Sequence, residues 1–294
     1  MVNDESPRYG SVFSGIGGLD LGVELAFGAE CAWQCERDPL ARGVLRRRWP
    51  GARLFGDVRD LARGARAGRE FACDILAGGP PCQDVSVAGR GAGMGAGTRS
   101  GLWDEMRRIA ARLRPPLVFV ENPALSRRRW LPTVAGDLAA LGYGWAYVCV
   151  RASALGFRHE RDRVFVLAAD FGGPRPDGRR RAEALLRRAV AFGVASDPDG
   201  DRRPERGVVP GVETPEEAGR EAAPGRGWWH ARSGMVRAFH GLPLGVDGGP
   251  PGQLGPGVPG RRGRIRALGN AVIPAQPWWA VPILARAILG GARS

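Results

Sequence analysis

The stretch Leu76-Ala77-Gly78-Gly79-Pro80-Pro81-Cys82-Gln83-Asp84-Val85-Ser86 decides how the rest of the chain is read. A short apolar run, residues 73–77, leads into it and has the length and composition of a buried strand. Two glycines then let the backbone turn tightly or approach a ligand closely. Two successive prolines fix φ and remove two N–H donors, so neither helix nor strand continues. Cys82 is thereby mounted on a stiff turn just beyond a strand. Such a mount suits a nucleophile, which must meet its target at a defined distance and angle. The plain alternative is a buried, inert thiol, the commonest state of a free cysteine. A strand, then Gly-Gly-Pro-Pro-Cys-Gln, then a polar glycine-rich loop favours the reactive reading.

Toward the N-terminus, Ser11-Val12-Phe13-Ser14-Gly15-Ile16-Gly17-Gly18 reads as a strand end, a glycine turn and a helix start, with the helix over 19–27. Such a turn lets a ligand reach backbone N–H groups, although it lacks the full dinucleotide fingerprint. A second strand, 32–35, ends at Glu36, and a helix over 39–49 follows. Asp57 closes a third unit. An acid after the second strand of such a fold can accept ribose hydroxyl protons, and Asp57 stands where an acid could reach an adenine amine. Either acid alone also reads as a helix cap. Their serial placement, each after a predicted strand, favours the ligand reading.

Toward the C-terminus, 87–99 is rich in Gly and Ala with two arginines, the composition of a lid. Residues 102–113 form an amphipathic helix with Leu102, Met106, Ile109 and Leu113 on one stripe. A buried-type strand, 117–120, runs directly into Glu121-Asn122-Pro123, where the proline stiffens a turn. A helix over 131–141 and strands over 144–152 and 164–169 follow, the last preceded by His159-Glu160-Arg161-Asp162-Arg163. From Asp170 to about Arg226, Pro, Gly and charge dominate. One helical patch there, 180–190, is crowded by Arg179, Arg180, Arg181, Arg187 and Arg188, and reads either as DNA-facing or as solvated. After a Gly/Pro-rich linker, 248–263, order returns with Leu268-Gly269-Asn270-Ala271-Val272-Ile273-Pro274 and a final helix over 277–289.

The totals bound the function class. The 294 residues, 44% hydrophobic, suffice for one full core and a smaller lobe. Residues 1–9 lack the apolar core of a signal peptide, and no apolar run approaches the roughly 18 residues that span a membrane. Five cysteines without a Cys-x-x-Cys pair point to a reducing, cytoplasmic setting with neither a zinc site nor a disulfide framework. The formal charge is +13, which favours a polyanionic partner, although a GC-rich coding sequence also inflates Arg, Gly, Ala and Pro. All 43 basic residues are arginine, which excludes a phosphate loop with its lysine and a Schiff-base lysine. Asparagine occurs only three times, so the placement of Asn122 and Asn270 within motifs is informative.

In order and spacing these segments resemble the DNA cytosine-5 methyltransferase family over roughly 11–169 and 235–289. Phe13 to Gly18 resembles its first cofactor motif, Pro81-Cys82-Gln83 its catalytic motif, and Glu121-Asn122 its second catalytic motif. Arg161-Asp162-Arg163 is similar to its paired-arginine motif, Phe239-His240-Gly241-Leu242-Pro243 to the segment supporting the recognition domain, and Gly269 to Pro274 to the closing motif. The resemblance implies an α/β, Rossmann-like S-adenosylmethionine-dependent methyltransferase fold. Residues 1–170 plus 262–294 would form the catalytic and cofactor-binding domain, and 171–261 a small, irregular target-recognition lobe. It implies Cys82, Glu121, Arg161 and Arg163 as catalytic residues. S-adenosylmethionine would contact Phe13, Gly15, Ile16, Gly17, Gly18, Glu36, Asp57, Val58, Pro81, Leu102, Asn270 and Val272. The substrate would be double-stranded DNA with a flipped cytosine, and the protein a cytoplasmic monomer without metal, of the kind that serves restriction–modification.

Two positions depart from the family pattern: Pro123 stands where valine is common, and His159 where glutamine usually opens the arginine motif. The recognition region is also short. Three alternatives remain at this level. They are a catalytically impaired DNA-binding relative, an RNA cytosine-5 methyltransferase of the same fold, and a nicotinamide oxidoreductase, which the Cys82 and Glu121 motifs disfavour.

Overall fold

The computed structural model describes residues 6–64, 69–81, 102–155, 157, 161–195, 267 and 271–291. Seven strands form one sheet: β1 (Arg8–Val12), β2 (Glu30–Cys35), β3 (Arg53–Phe55), β4 (Ile75–Gly78), β5 (Leu117–Pro123), β6 (Tyr143–Arg151) and β7 (Asp162–Asp170). Their spatial order is β3-β2-β1-β4-β5-β7-β6. The first five run parallel, and β7 runs antiparallel to β5 and β6. The chain moves outward from β1 to β3, then returns past β1 to lay down β4. The order therefore reverses between β1 and β4, and such a switch point opens a crevice at the carboxyl ends of the strands. This is the Rossmann-like α/β architecture.

Both faces of the sheet are covered, which is why its central strands read as continuous apolar runs. Side chains alternate between the faces with period two. In β5, Leu117 and Phe119 enter one core while Val118 and Val120 enter the other. The first core packs against α1 (Gly18–Phe27), a long helix at Gly178–Ala195 and the final helix at Ala275–Gly291. The second packs against α3 (Val58–Gly64), α4 (Leu102–Leu113) and α5 (Arg127–Ala140), with Met106, Ile109 and Trp130 fully buried. Between α1 and α3, α2 (Pro39–Arg48) starts on Asp38, whose carboxylate accepts from the N–H groups of Leu40 and Ala41.

Three expectations shift. The strand at Glu121-Asn122-Pro123 does not stop for a turn. Pairing with β7 extends β5 through Pro123, opposite Arg163, where a proline is tolerated at the end of a ladder. The arginine-crowded patch is the helix Gly178–Ala195, here α6, and it belongs to the helical layer of the sheet. Ala182, Leu185, Leu186 and Ala189 are buried. Arg188 donates to the Phe27 carbonyl at the end of α1, where a cation suits the helix dipole, and Arg181 pairs with Asp74. Of the segment 171–261, then, the part up to Ala195 rides on the sheet, and 196–261 lies outside the described residues. The final helix, α7, packs on α1, α6, β6 and β7. No helix among the described residues is long and apolar enough to cross a membrane.

Candidate active site

A cleft of about 600 Å³ lies at the switch point, at the carboxyl ends of β1, β2, β4 and β5. Its first wall is the turn after β1. Gly15 and Gly17 have φ of 56° and 87°, where glycine carries no steric penalty. Phe13, at φ 58°, is a bulky side chain held in the same left-handed region, and such strain concentrates at functional sites. Glu36, at the end of β2, ties this turn down. One carboxylate oxygen accepts from the Gly15 N–H and the other from the Asp38 N–H, each at 2.8 Å. Each oxygen retains a second acceptor site. Asp57 follows β3 and accepts from the Arg59 N–H at 2.8 Å, so it caps α3 while lining the cleft. Glu36 and Asp57 are thus structural anchors as well as cleft-lining carboxylates. Ile16, Val58 and Leu102 add apolar wall, and Ala271 and Val272 close the cleft from the C-terminal segment. The Val272 carbonyl rests against Gly18 so closely that a Cβ there has no room.

The other end of the cleft is built on β4, β5 and β7. Gly79, Pro80 and Pro81 leave β4, and the Asn122 side-chain amide donates to the Pro80 carbonyl at 3.0 Å. The turn that leads into Cys82 is thus clamped to the neighbouring strand. Glu121 is buried at 7% exposure, and a Cβ on residue 79 would stand 2.8 Å from its Oε2, so glycine is required for this approach. Arg163 Nε lies 2.7 Å from Glu121 Oε1. Burial raises the Glu121 pKa to about 6, against the pull of Arg163 and then Arg161. Burial, helped by Arg163, lowers Arg161 to about 10, with Glu121 opposing. The buried Gln276 of α7 donates to the Arg161 and Val150 carbonyls and so holds the entry into β7.

A family model described as C-5 cytosine-specific DNA methylase matches residues 8–174. The chain belongs to this family. The Type II methyltransferase M2.BsuMI of Bacillus subtilis (strain 168) is 37% identical over 174 residues, which is 56% of this chain and 42% of that protein. The Type II methyltransferase M.HaeII of Haemophilus aegyptius is 28% identical over 57% of this chain and 53% of its own length. This methylase chain spans about half or less of the curated relatives it matches. Among solved structures it is similar to a putative prophage-encoded DNA modification methyltransferase from E. coli, with 25% identity, TM-score 0.45 and coverage of 56% of this chain and 47% of that one. The S. pombe Dnmt2 methyltransferase matches with 18% identity and TM-score 0.46 over 57% and 53% of the two chains.

Within the methylase fold, most of the residues singled out from sequence converge on the cleft: Phe13, Gly15, Ile16, Gly18, Glu36, Asp57, Val58, Pro81, Leu102, Glu121, Arg163 and Val272 line it. Gly17 instead packs against Trp49 and Leu45, its positive φ starting α1. Arg161 stands beside the Glu121–Arg163 pair without lining the cleft. Cys82 and Asn270 lie outside the described residues, as does His159. Sequence reasoning passed over Ser14, Asp38 and Ser126, which also line the cleft, and over the clamp role of Asn122. The rarity of asparagine was the signal for Asn122; the others carried none. Burial pushes the thiols of Cys31, Cys35 and Cys73 up to about 12, so none of the three is a thiolate near neutral pH.

Proposed function

We propose that this chain is a DNA cytosine-5 methyltransferase whose nucleophile is Cys82. One observation carries the reading: a buried Glu121–Arg163 pair and the clamped Pro80-Pro81 turn close one end of a cleft whose other end holds Glu36, Asp57 and the glycine turn. The cleft suits S-adenosylmethionine in size and in chemistry. Two carboxylates suit hydroxyl, amine or ammonium donors, apolar walls suit an adenine, and a Cβ at residue 15 would meet nothing within 4 Å, so the turn is open to close approach. When bound, S-adenosylmethionine supplies an electrophilic methyl group on a sulfonium.

The chain's own residues do the rest. C5 of cytosine is a poor nucleophile. The Cys82 thiolate adds to C6, and C5 becomes an enamine carbon able to attack. Glu121 bonds to N3 and the exocyclic amine and gives N3 a proton as charge develops there; a carboxyl with pKa about 6 is suited to that exchange. Arg163 and Arg161 hold Glu121 and meet the base oxygen. A base then removes the C5 proton, the C5–C6 double bond re-forms, Cys82 leaves as thiolate, and N3 returns its proton to Glu121. A stacked cytosine is out of reach, so the target is extruded from the duplex. The same reading gives residues 196–261 to target recognition, and the setting to a cytoplasmic restriction–modification system.

The test is methyl transfer from labelled S-adenosylmethionine to duplex DNA, with transfer RNA in parallel. A covalent adduct on 5-fluorocytosine duplex should form with the native chain and with Cys149→Ser, and vanish in Cys82→Ser. Transfer to RNA alone, or normal turnover in Cys82→Ser, would overturn the reading.

A further inference from the structure

Immediately past Glu121 and Asn122, the chain makes a one-turn 3-10 helix at Ala124–Ser126 and enters α5. Two hydrogen bonds tie this turn to its own chain. The Pro123 carbonyl accepts from Ser126 Oγ at 3.3 Å and from the indole N–H of the fully buried Trp130 at 3.4 Å. What it presents is unusual. Leu125 is fully exposed, and no other large hydrophobic residue among those described is exposed. Arg128 and Arg129 are exposed beside it and have no ion-pair partner among the described residues. No acid occurs between Glu121 and Asp137. The arginines at 127–129 occupy the first turn of α5, where the helix dipole disfavours cations. Neither packing nor helix stability accounts for this segment. Pro123 and Ser126 line the cleft, so the segment forms its rim.

An apolar side chain flanked by cations is how proteins wedge a base step while gripping the backbone. We propose that the segment 123–129 is a duplex DNA contact, with Leu125 packed against a base or sugar face beside the target and Arg128 and Arg129 paired with flanking phosphates. The proposal rests on the DNA methyltransferase reading and names a surface for it. Arginine-rich composition alone does not explain the surface. On α6, Arg181 is one residue from Arg180 and pairs with Asp74, at the amino-terminal end of β4 and so at the end of that strand away from the cleft.

Two measurements on the full chain test it. The first is binding of a labelled random-sequence duplex as a function of salt. Each lost phosphate contact lowers the log–log slope by about 0.9, so Arg128→Ala with Arg129→Ala should lower it by nearly 2, and Arg180→Ala should leave it unchanged. The second is steady-state methyl transfer to genomic DNA. Leu125→Ala should raise the KM for DNA about tenfold, with calorimetric affinity for S-adenosylmethionine and Tm unchanged. An unchanged slope in the double variant, or an unchanged DNA KM in Leu125→Ala, overturns the proposal. So does an effect seen on single-stranded RNA and absent on duplex. A chain that binds duplex with the predicted slope changes but transfers no methyl group would instead sink the enzymatic reading and leave this contact standing.

Discussion

Strand β7 carries a buried arginine–carboxylate pair at each end, and the two pairs have different surroundings. At one end Asp170 meets Arg114 at 2.6 Å. Arg114 also donates to the Leu141 carbonyl and lies 4.9 Å from the Tyr143 ring centroid, and the Tyr143 hydroxyl donates to the Pro115 carbonyl. These contacts are to backbone and ring, and the pair locks the end of α4 to the sheet. At the other end Arg163 meets Glu121 at 2.7 Å, also buried, yet this pair borders the cleft. Burial raises the pKa of this glutamate to about 6, against the pull of Arg163 and Arg161. Similar chemistry thus gives one pair enclosed within the fold and another that lines a cleft.

Breaking the staple should have the largest effect on the fold. Asp170→Ala leaves the Arg114 guanidinium buried without its counter-ion, a change that costs about 3–5 kcal/mol and is read from the denaturant midpoint. The corresponding change at the cleft should act on chemistry. Glu121→Gln keeps the shape and a hydrogen-bonding partner for Arg163 but removes the proton donor, so methyl transfer should fall by about 10²–10³-fold while the midpoint falls less than in Asp170→Ala. If both variants lose stability equally, the contrast between the two pairs disappears.

A third carboxylate extends the comparison. Glu36 anchors the Gly15 and Asp38 N–H groups and lines the cleft, so Glu36→Ala should weaken S-adenosylmethionine binding by about 10–150-fold in calorimetry. Asp57→Ala should weaken binding in the same direction. Unchanged affinity in both would leave these acids purely structural.

The smallest effect is on pH dependence. The folded-state pKa of Glu121 is raised above its ordinary value, so the folded chain binds more protons than the unfolded one between about pH 4.5 and 6. Its contribution to stability is full below that window and is lost as pH rises through it, by about 2 kcal/mol. Glu121→Gln should remove that slope from a plot of stability against pH, whereas Asp57→Ala should not.

Much of this was legible in the residues. The apolar stripe of Leu102, Met106, Ile109 and Leu113 gave α4 its observed limits, because helical periodicity is a local property. Glycine turns and strand ends likewise marked where Gly15, Glu36, Asp57 and Glu121 stand. The strand through Pro123 was not legible, because proline reads locally as a break and only the β7 ladder overrides it. Nor was the docking of α6: its arginines read as a solvated or DNA-facing surface until Arg188 is seen capping α1 from 161 residues away.

By itself the sequence determined most element types and the order of the motifs, since these depend on periodicity and turn chemistry over a few neighbouring positions. Only the tertiary structure decided that β7 runs antiparallel beside β5, so that Arg163 faces Glu121 while Arg114 faces Asp170. It alone clamped Asn122 to Pro80 across 42 residues and left Leu125 bare at the rim. Strand neighbours, burial and the pKa of a buried acid are set by packing between segments far apart in the chain, and no short window of sequence contains that information.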